Sequence, residues 1–247
     1  MHKEHYIFSL PDDKTSELFR YMDFWKLEDL INTSELYHSA LMKMGDEYEG
    51  TIPDKIGKIF IEQVLHNEGK DAAEGMKKVV QPNERLKKET FISSWNMLPS
   101  ESFAMWKLYT SDKNSISIKS SIDRLIEAFH VDKEFTEYIG QIQYHDGKKY
   151  VFRGNMFDPV MYKWDYYEFE SEIRVAINHY AKGGFEELKT WPEGIRPKVD
   201  LNILIESIYL APFAGEEQYN NVSKLLKSIN LNVDIYESGI KDKWSNA

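Results

Sequence analysis

The sequence predicts an α+β protein, and three observations carry that prediction. Segments with apolar residues at helical spacing and segments with two-residue alternation are interleaved without a regular strand–helix–strand rhythm, which argues against a doubly wound parallel sheet. With 247 residues, 42% of them apolar, the chain can bury a sizeable core. No repeat, low-complexity tract or Pro/Gly/Ser-rich linker divides it, so residues 1–247 read as a single domain with a helical insertion at about residues 53–88.

Taken in order, Glu17–Met22 is a short extended segment. Phe24–Ile31 has helical periodicity and is broken by Asn32-Thr33-Ser34, and Leu36–Ala40 is extended again. Residues 53–80 read as helix, with Pro53 suited to a first turn and Gly69 to a stop. Glu89–Trp95 is a strand, Phe103–Tyr109 a short helix with Ser102 as N-cap, Asn114–Lys119 a strand of period two, and Ser121–Phe129 a helix. Tyr138–Tyr144 and Lys149–Phe152 read as a hairpin around Asp146-Gly147, a tight-turn dipeptide. A turn or short helix over 158–167 leads to a strand over Phe169–Asn178. Ile203–Leu210 is a strand, Glu216–Ile229 a helix and Asn232–Tyr236 a closing strand.

Composition narrows the function. A net charge of −10 disfavours non-specific binding to nucleic-acid phosphates, although it leaves room for a local basic patch. The one candidate patch, Lys77, Lys78, Arg85, Lys87 and Lys88, reads as a solvated helix face. The absence of cysteine excludes disulfides, thiolate metal sites and a cysteine nucleophile, and fits a reducing compartment. The opening MHKEHYIFSLPDD does not read as a signal peptide, and no apolar run approaches the ~20 residues of a membrane span, so the expectation is a cytoplasmic protein away from the membrane. His38, His66, His130, His145 and His179 lack the spacing of a zinc site. Aromatic residues are 14% of the chain; such rings fill cores and also line pockets for flat ligands.

The pattern richest in chemistry is Glu170-x-Glu172-x-Arg174. On a strand these three share one face, with Phe169, Ile173, Val175 and Ile177 on the other. Arg174 can hold one carboxylate ionised through a two-pronged ion pair, which frees the other to act on a substrate. The plainer reading is a solvated sheet face with an ordinary ion pair. Around the motif lie Arg20-Tyr21, Ser93-Ser94-Trp95, Met105-Trp106, Tyr109 and Lys163-Trp164. Ser94 has no His or Lys base beside it in sequence, so a serine nucleophile is not expected.

The succession of Phe19-Arg20-Tyr21, Ser94-Trp95, MWKLY at 105–109, SISI at 115–118, Lys163-Trp164, Glu170-x-Glu172-x-Arg174, IYLAP at 208–212 and a last strand ending at Ser238 resembles a bacterial and phage domain family of unknown function, from about Phe19 to Ser238. The chain departs from it in Gly45-Asp46-Glu47-Tyr48-Glu49, where an Asn-Asp-Pro-Phe-Glu type of loop is usual. It departs again in Ser93-Ser94-Trp95 for Cys-Phe-Ser and in Ser115 for Gly. More distantly the plan resembles the ADP-ribosyltransferase fold, which implies a mixed or antiparallel split sheet flanked by helices and NAD as the cofactor. By that resemblance Arg20, with Tyr21, would hold the cofactor, and Ser94, Trp95 and Tyr109 would flank the nicotinamide. Glu172 would be the catalytic carboxylate, Glu170 would orient the acceptor, and Arg174 would keep the carboxylates ionised. A carboxylate there stabilises the positive charge that develops as the nicotinamide–ribose bond breaks. The resemblance also implies a toxin or phage-defence effector with a nucleic-acid or protein acceptor and an antitoxin or other protein partner.

Two other readings stay open. Asp46, Glu49, Glu170 and Glu172 could hold Mg²⁺ for phosphodiester hydrolysis. Alternatively the chain is a non-enzymatic module that binds a small molecule or protein through its aromatic rim.

Overall fold

The computed structural model describes residues 2–80, 84–148, 150–179 and 191–240. Strand β1 (Glu17–Met22) is followed by helix α1 (Phe24–Thr33) and strand β2 (His38–Ala40). Helix α1 buries Leu27, Leu30 and Ile31, the i, i+3, i+4 set of one face. It stops at Ser34, whose left-handed backbone (φ 55°) lets its N–H bond Leu30 O at 2.8 Å. A helical layer follows: α2 (Asp54–Glu68), α3 (Lys70–Val80) and α4 (Glu84–Glu89), leading into β3 (Thr90–Met97). Next come α5 (Phe103–Tyr109), β4 (Ile116–Ser121), α6 (Ile122–Ala128), β5 (Tyr138–Gln141), β6 (Gln143–His145) and β7 (Tyr162–Trp164). The rest is β8 (Glu172–Asn178), β9 (Gly194–Ile195), α7 (Leu201–Leu204), β10 (Ser207–Leu210), α8 (Glu216–Ser228) and β11 (Asp234–Tyr236).

The main sheet is mixed and mostly antiparallel, with β10–β11 its parallel pair. One of its faces carries Leu18, Met22, Trp95, Ile118, Ile173 and Val175 into the largest apolar core, beneath α1, α6 and α8. On the other face α5 packs Met105 and Trp106 against Phe19 and Tyr21. The fold class read from the sequence is therefore the observed one.

The pairing of β3 decides where a site can form. One edge pairs with β8 throughout, from Thr90↔Asn178 to Asn96↔Glu172. The other edge is shared: β1 holds only Asn96 and Met97, and β2 holds only Phe91 and Ile92. Between them, Ser93, Ser94 and Trp95 have no strand partner on that side among the described residues, and the sheet parts there.

Several expectations change. The strand expected over 169–178 begins only at Glu172. Asp165–Glu170 forms a 3₁₀ turn and Ser171 takes a left-handed backbone (φ 42°), so Glu170 reaches the site from a turn and not from the strand face. Phe169 is exposed for the same reason. The Asp146-Gly147 turn forms, with Gly147 at φ 82°, yet no hairpin follows it: β6 pairs in parallel with β7, and Tyr150–Phe152 is not a strand. Part of the expected second arm, Lys149, lies outside the described residues. The strand expected over 203–210 opens as α7, because the Asp200 carboxylate caps the N–H groups of Asn202 and Ile203. Helix α4 closes the helical insertion expected over about 53–88 and takes in Glu89, which was expected to open the strand.

A candidate active site in the parted sheet

The gap beside Ser93–Trp95 opens into a cleft of about 610 Å³. Strand β1 contributes Arg20 and Tyr21, α1 contributes Trp25 and Asp29, and the β2 approach contributes Tyr37. Ser94 and Asn96 come from β3, Tyr109 from α5 and Glu170 from the 3₁₀ turn.

Beneath the Glu170 end lies a buried charge network. Arg174 has no exposed surface. Its Nε donates to Glu172 Oε1 at 2.7 Å, Nη2 to Glu172 Oε2 at 3.1 Å and Nη1 to Val160 O at 2.6 Å, and Nη2 also pairs with Glu49. Lys163 bridges Glu170 Oε2 at 2.7 Å and Glu172 Oε2 at 2.8 Å, with Glu49 at 3.9 Å. Ser94 Oγ donates to Glu172 Oε1 at 2.5 Å. Tyr109 Oη donates to Glu170 Oε1 at 2.6 Å, and Asn96 Nδ2 fixes the Glu170 carbonyl at 2.9 Å.

Burial works against the charges of Glu172, Arg174 and Lys163, and their partners overcome it. Burial alone would raise the Glu172 carboxyl, but Arg174 and Lys163 hold it well below the usual carboxylate range. Burial alone would lower the two cations, but Glu172 and Glu49 push Arg174 up, and Glu172 chiefly pushes Lys163 up. The Tyr109 hydroxyl is raised by burial and by Glu170, so it stays a neutral donor. Three carboxylates face two cations, a formal excess of one negative charge, and Glu170 is the member of the three that borders the cleft.

Arg20 is the counterpart at the parted strands. Its guanidinium donates to Ser93 Oγ and, at 3.2 Å, to Tyr37 O, and it lies 5.6 Å from the Trp95 ring. Among the described residues no carboxylate pairs with it, and burial lowers it to about 10. It still carries its charge at neutral pH.

The structure thus brings Arg20, Tyr21, Ser94, Tyr109 and Glu170 to one cleft and sets Glu172 and Arg174 directly behind it. It does not bring Trp95 there: that ring is fully buried in the core, beneath the Arg20 guanidinium. Tyr21 borders the cleft, but its hydroxyl accepts from the Ser102 N–H at 2.8 Å and serves the start of α5. Glu49 joins the network as a partner of Arg174, whereas the Asp46 carboxylate accepts from the Tyr48 N–H at 2.9 Å in its own loop. Of the four carboxylates in the Mg²⁺ reading, Glu49, Glu170 and Glu172 converge on the Lys163 ammonium without Asp46, and among the described residues no group of three or more is placed to hold a metal ion. The basic patch is locally neutralised by the pairs Lys77–Glu74, Arg85–Glu89 and Lys88–Glu84.

Sequence reasoning assigned no role to Lys163, Asn96, Tyr37 or Trp25, and placed Glu49 only in a metal set. Lys163-Trp164 ahead of the Glu-x-Glu-x-Arg motif was the one available signal. Its meaning depends on the 3₁₀ turn that folds Glu170 back over Lys163. Among the described residues, no helix is long and apolar enough to cross a membrane.

The fold and site together define an α+β protein with a charged cleft in a parted sheet. No family model matches the chain, and no curated protein matches it. Among solved structures it is similar to Thermus sp. 2.9 DarT in complex with NAD+, at 11% identity and a TM-score of 0.40 over 95% of this chain and 98% of that one. It is similar also to Thermus sp. 2.9 DarT in complex with ADP-ribosylated ssDNA, at 11% identity and a TM-score of 0.41 over 95% and 97%. Neither likeness assigns a role to any residue of this chain.

Proposed function

We propose that the cleft binds NAD+ and that the chain transfers ADP-ribose from it to a macromolecular acceptor, in the manner of an ADP-ribosyltransferase. The carrying observation is a pair of opposite, unbalanced charges in one cleft: the Arg20 guanidinium without a carboxylate, and the Glu170 end of a network with one carboxylate in excess. NAD+ offers the complementary pattern, an anionic pyrophosphate beside a cationic nicotinamide riboside. The cleft volume of about 610 Å³ suits a ligand of that kind.

When bound, NAD+ supplies an electrophilic ribose carbon and a neutral leaving group. The residues supply the setting. Arg20 holds the anionic centre. Glu170, which lines the cleft, would stabilise the positive charge that develops on that carbon, and fixed charge is worth most where water is excluded. Tyr109 and Asn96 fix Glu170 from two sides. Glu172, with both oxygens engaged by Arg174, Lys163 and Ser94, anchors the network and orients the Ser94 hydroxyl at the cleft. Glu170 therefore takes the cleft-facing part in this reading and Glu172 the supporting part. The acceptor is a nucleic acid or a protein, and a toxin or phage-defence setting, with a partner protein, belongs to the same reading.

A second reading, a non-enzymatic binding module, draws on the complete occupancy of Glu172. Incubation with labelled NAD+, alone and with lysate, RNA or DNA, separates the two. Nicotinamide release with label on a macromolecule, lost in Glu170→Gln, is the expected result. Neither binding nor release by the wild-type chain would overturn the transferase reading.

A further inference from the structure

Beyond Arg20 the cleft continues to an end that the charges do not account for. Contacts order it: Ser94 adjoins Ser93, Ser93 accepts from Arg20, and Arg20 donates to Tyr37 O. The Tyr37 ring lies 5.3 Å from the Arg196 guanidinium, and Arg196 pairs with Asp29 of α1, the helix that carries Trp25. Carboxylates, hydroxyl, guanidinium and aromatic rings thus follow one another along a single cleft.

The two rings at this end are not core residues. Trp25 is 60% exposed and Tyr37 40%. Among the described residues neither packs on another ring, in a protein whose other aromatic side chains often do. Lys26 lies over Trp25 at 5.4 Å. The Tyr37 ring is fixed in place nonetheless. Its hydroxyl donates to Glu193 O at 3.2 Å, and its edge lies so close over Gly194 that a Cβ there would stand 2.4 Å from Cε2. Holding a large ring rigid at a cleft wall, where water meets it, is a cost that a stacked ligand would offset.

We infer that Trp25 and Tyr37 form a subsite for a planar base, and that its occupant is the adenine of the dinucleotide. This rests on the NAD+ reading, because the distal base is the part of that ligand beyond the anion held by Arg20. A base stacked on such a ring changes affinity by roughly tenfold or more. The site therefore distinguishes a dinucleotide from nicotinamide mononucleotide, which ends at its single phosphate.

The test measures the affinities of NAD+, nicotinamide mononucleotide and AMP for the wild-type chain and for Trp25→Ala, Trp25→Phe and Tyr37→Leu. The expected result is AMP and NAD+ binding weakened about tenfold in Trp25→Ala and Tyr37→Leu, recovery in Trp25→Phe, and nicotinamide mononucleotide unchanged throughout. Trp25 is exposed enough that Trp25→Ala keeps its melting temperature, so the proposal does not depend on whether Tyr37→Leu folds. If NAD+ and nicotinamide mononucleotide bind but AMP does not, or AMP binds all variants equally, the base subsite is overturned and the NAD+ reading stands. If the variants bind NAD+ normally but label less nucleic acid, the rings hold an acceptor base and the proposal is likewise overturned. If the wild-type chain binds none of the three, the NAD+ reading itself has failed.

Discussion

Replacing Arg174 by Met removes one of the two cations that hold three carboxylates beneath the cleft. The guanidinium is fully buried and bonds Glu172 through Nε and Nη2, Glu49 through Nη2 and Val160 O through Nη1. Without it three carboxylates face a single ammonium, and the Val160 carbonyl loses its donor. Removing one partner of a buried ion pair costs about 3–5 kcal/mol. For a chain of this size that lowers the melting temperature by roughly 6–20 °C. The loss depends on pH. In the wild type Glu172 titrates below its unfolded value, so its contribution is present above an unfolded pKa of about 4.3 and is lost as pH falls through the folded one. In Arg174→Met the buried Glu172 carboxylate loses its chief partner, is destabilising while ionised and is relieved by protonation, so the gap to wild type narrows between neutral pH and about pH 4. Adding Glu172→Gln restores the original excess of one negative charge, so the double variant is less destabilised than the sum of the two single ones. Urea unfolding at several pH values measures all of this. A loss under about 1 kcal/mol for Arg174→Met, or strict additivity in the double variant, would show that the network does not hold the site together.

Other outcomes follow from the same geometry. Glu170→Gln lowers nicotinamide release at least about a hundredfold while its melting temperature stays close to wild type, because Lys163 keeps Glu172; a large loss of stability with activity retained would reverse the two roles. His38 is fully buried, its Nε2 has no partner among the described residues and its Nδ1 meets Leu36 O at 2.9 Å, so burial holds its pKa down to about 3. Its folded pKa lies below the unfolded ~6.5, so its share of stability is present above that value and falls by about 1.4 kcal/mol per pH unit below it. His38→Phe, compared with wild type in urea at pH 7 and pH 5, should lack about 2 kcal/mol of that decline, and identical slopes would refute the assignment. Gly194→Ala places a Cβ 2.5 Å from His38 O and 2.4 Å from the Tyr37 ring, and should cost about 1–3 kcal/mol while weakening AMP binding. Unchanged AMP affinity in a folded Gly194→Ala would remove Tyr37 from the subsite.

Much of the architecture is local physics and was legible. The periodicity around Leu27, Leu30 and Ile31, the Ser102 cap and the alternation at Ile116 and Ile118 each specify an element through neighbours a few residues away. The errors arose where a distant partner outweighed local pattern. The Asp146-Gly147 turn was real, but β6 found β7 in place of the arm that follows the turn. Glu170 fits an alternating strand by spacing alone, yet Ser171 turns the chain left-handed just before β8 begins.

The sequence by itself determined the fold class, most helices and strands, and the residue types of the site: arginine, serine, tyrosine and paired glutamates in a definite order. Only the tertiary structure decided which of them share a space. Trp95 and Ser94 are neighbours in sequence, and strand alternation sends one into the core and the other into the cleft. Glu49 and Arg174 meet across 125 positions, and Lys163 binds both glutamates only because a 3₁₀ turn folds Glu170 back over it. Such contacts are set by which strands pair and where β3 lacks a partner. That is a property of the whole sheet, and no single segment encodes it.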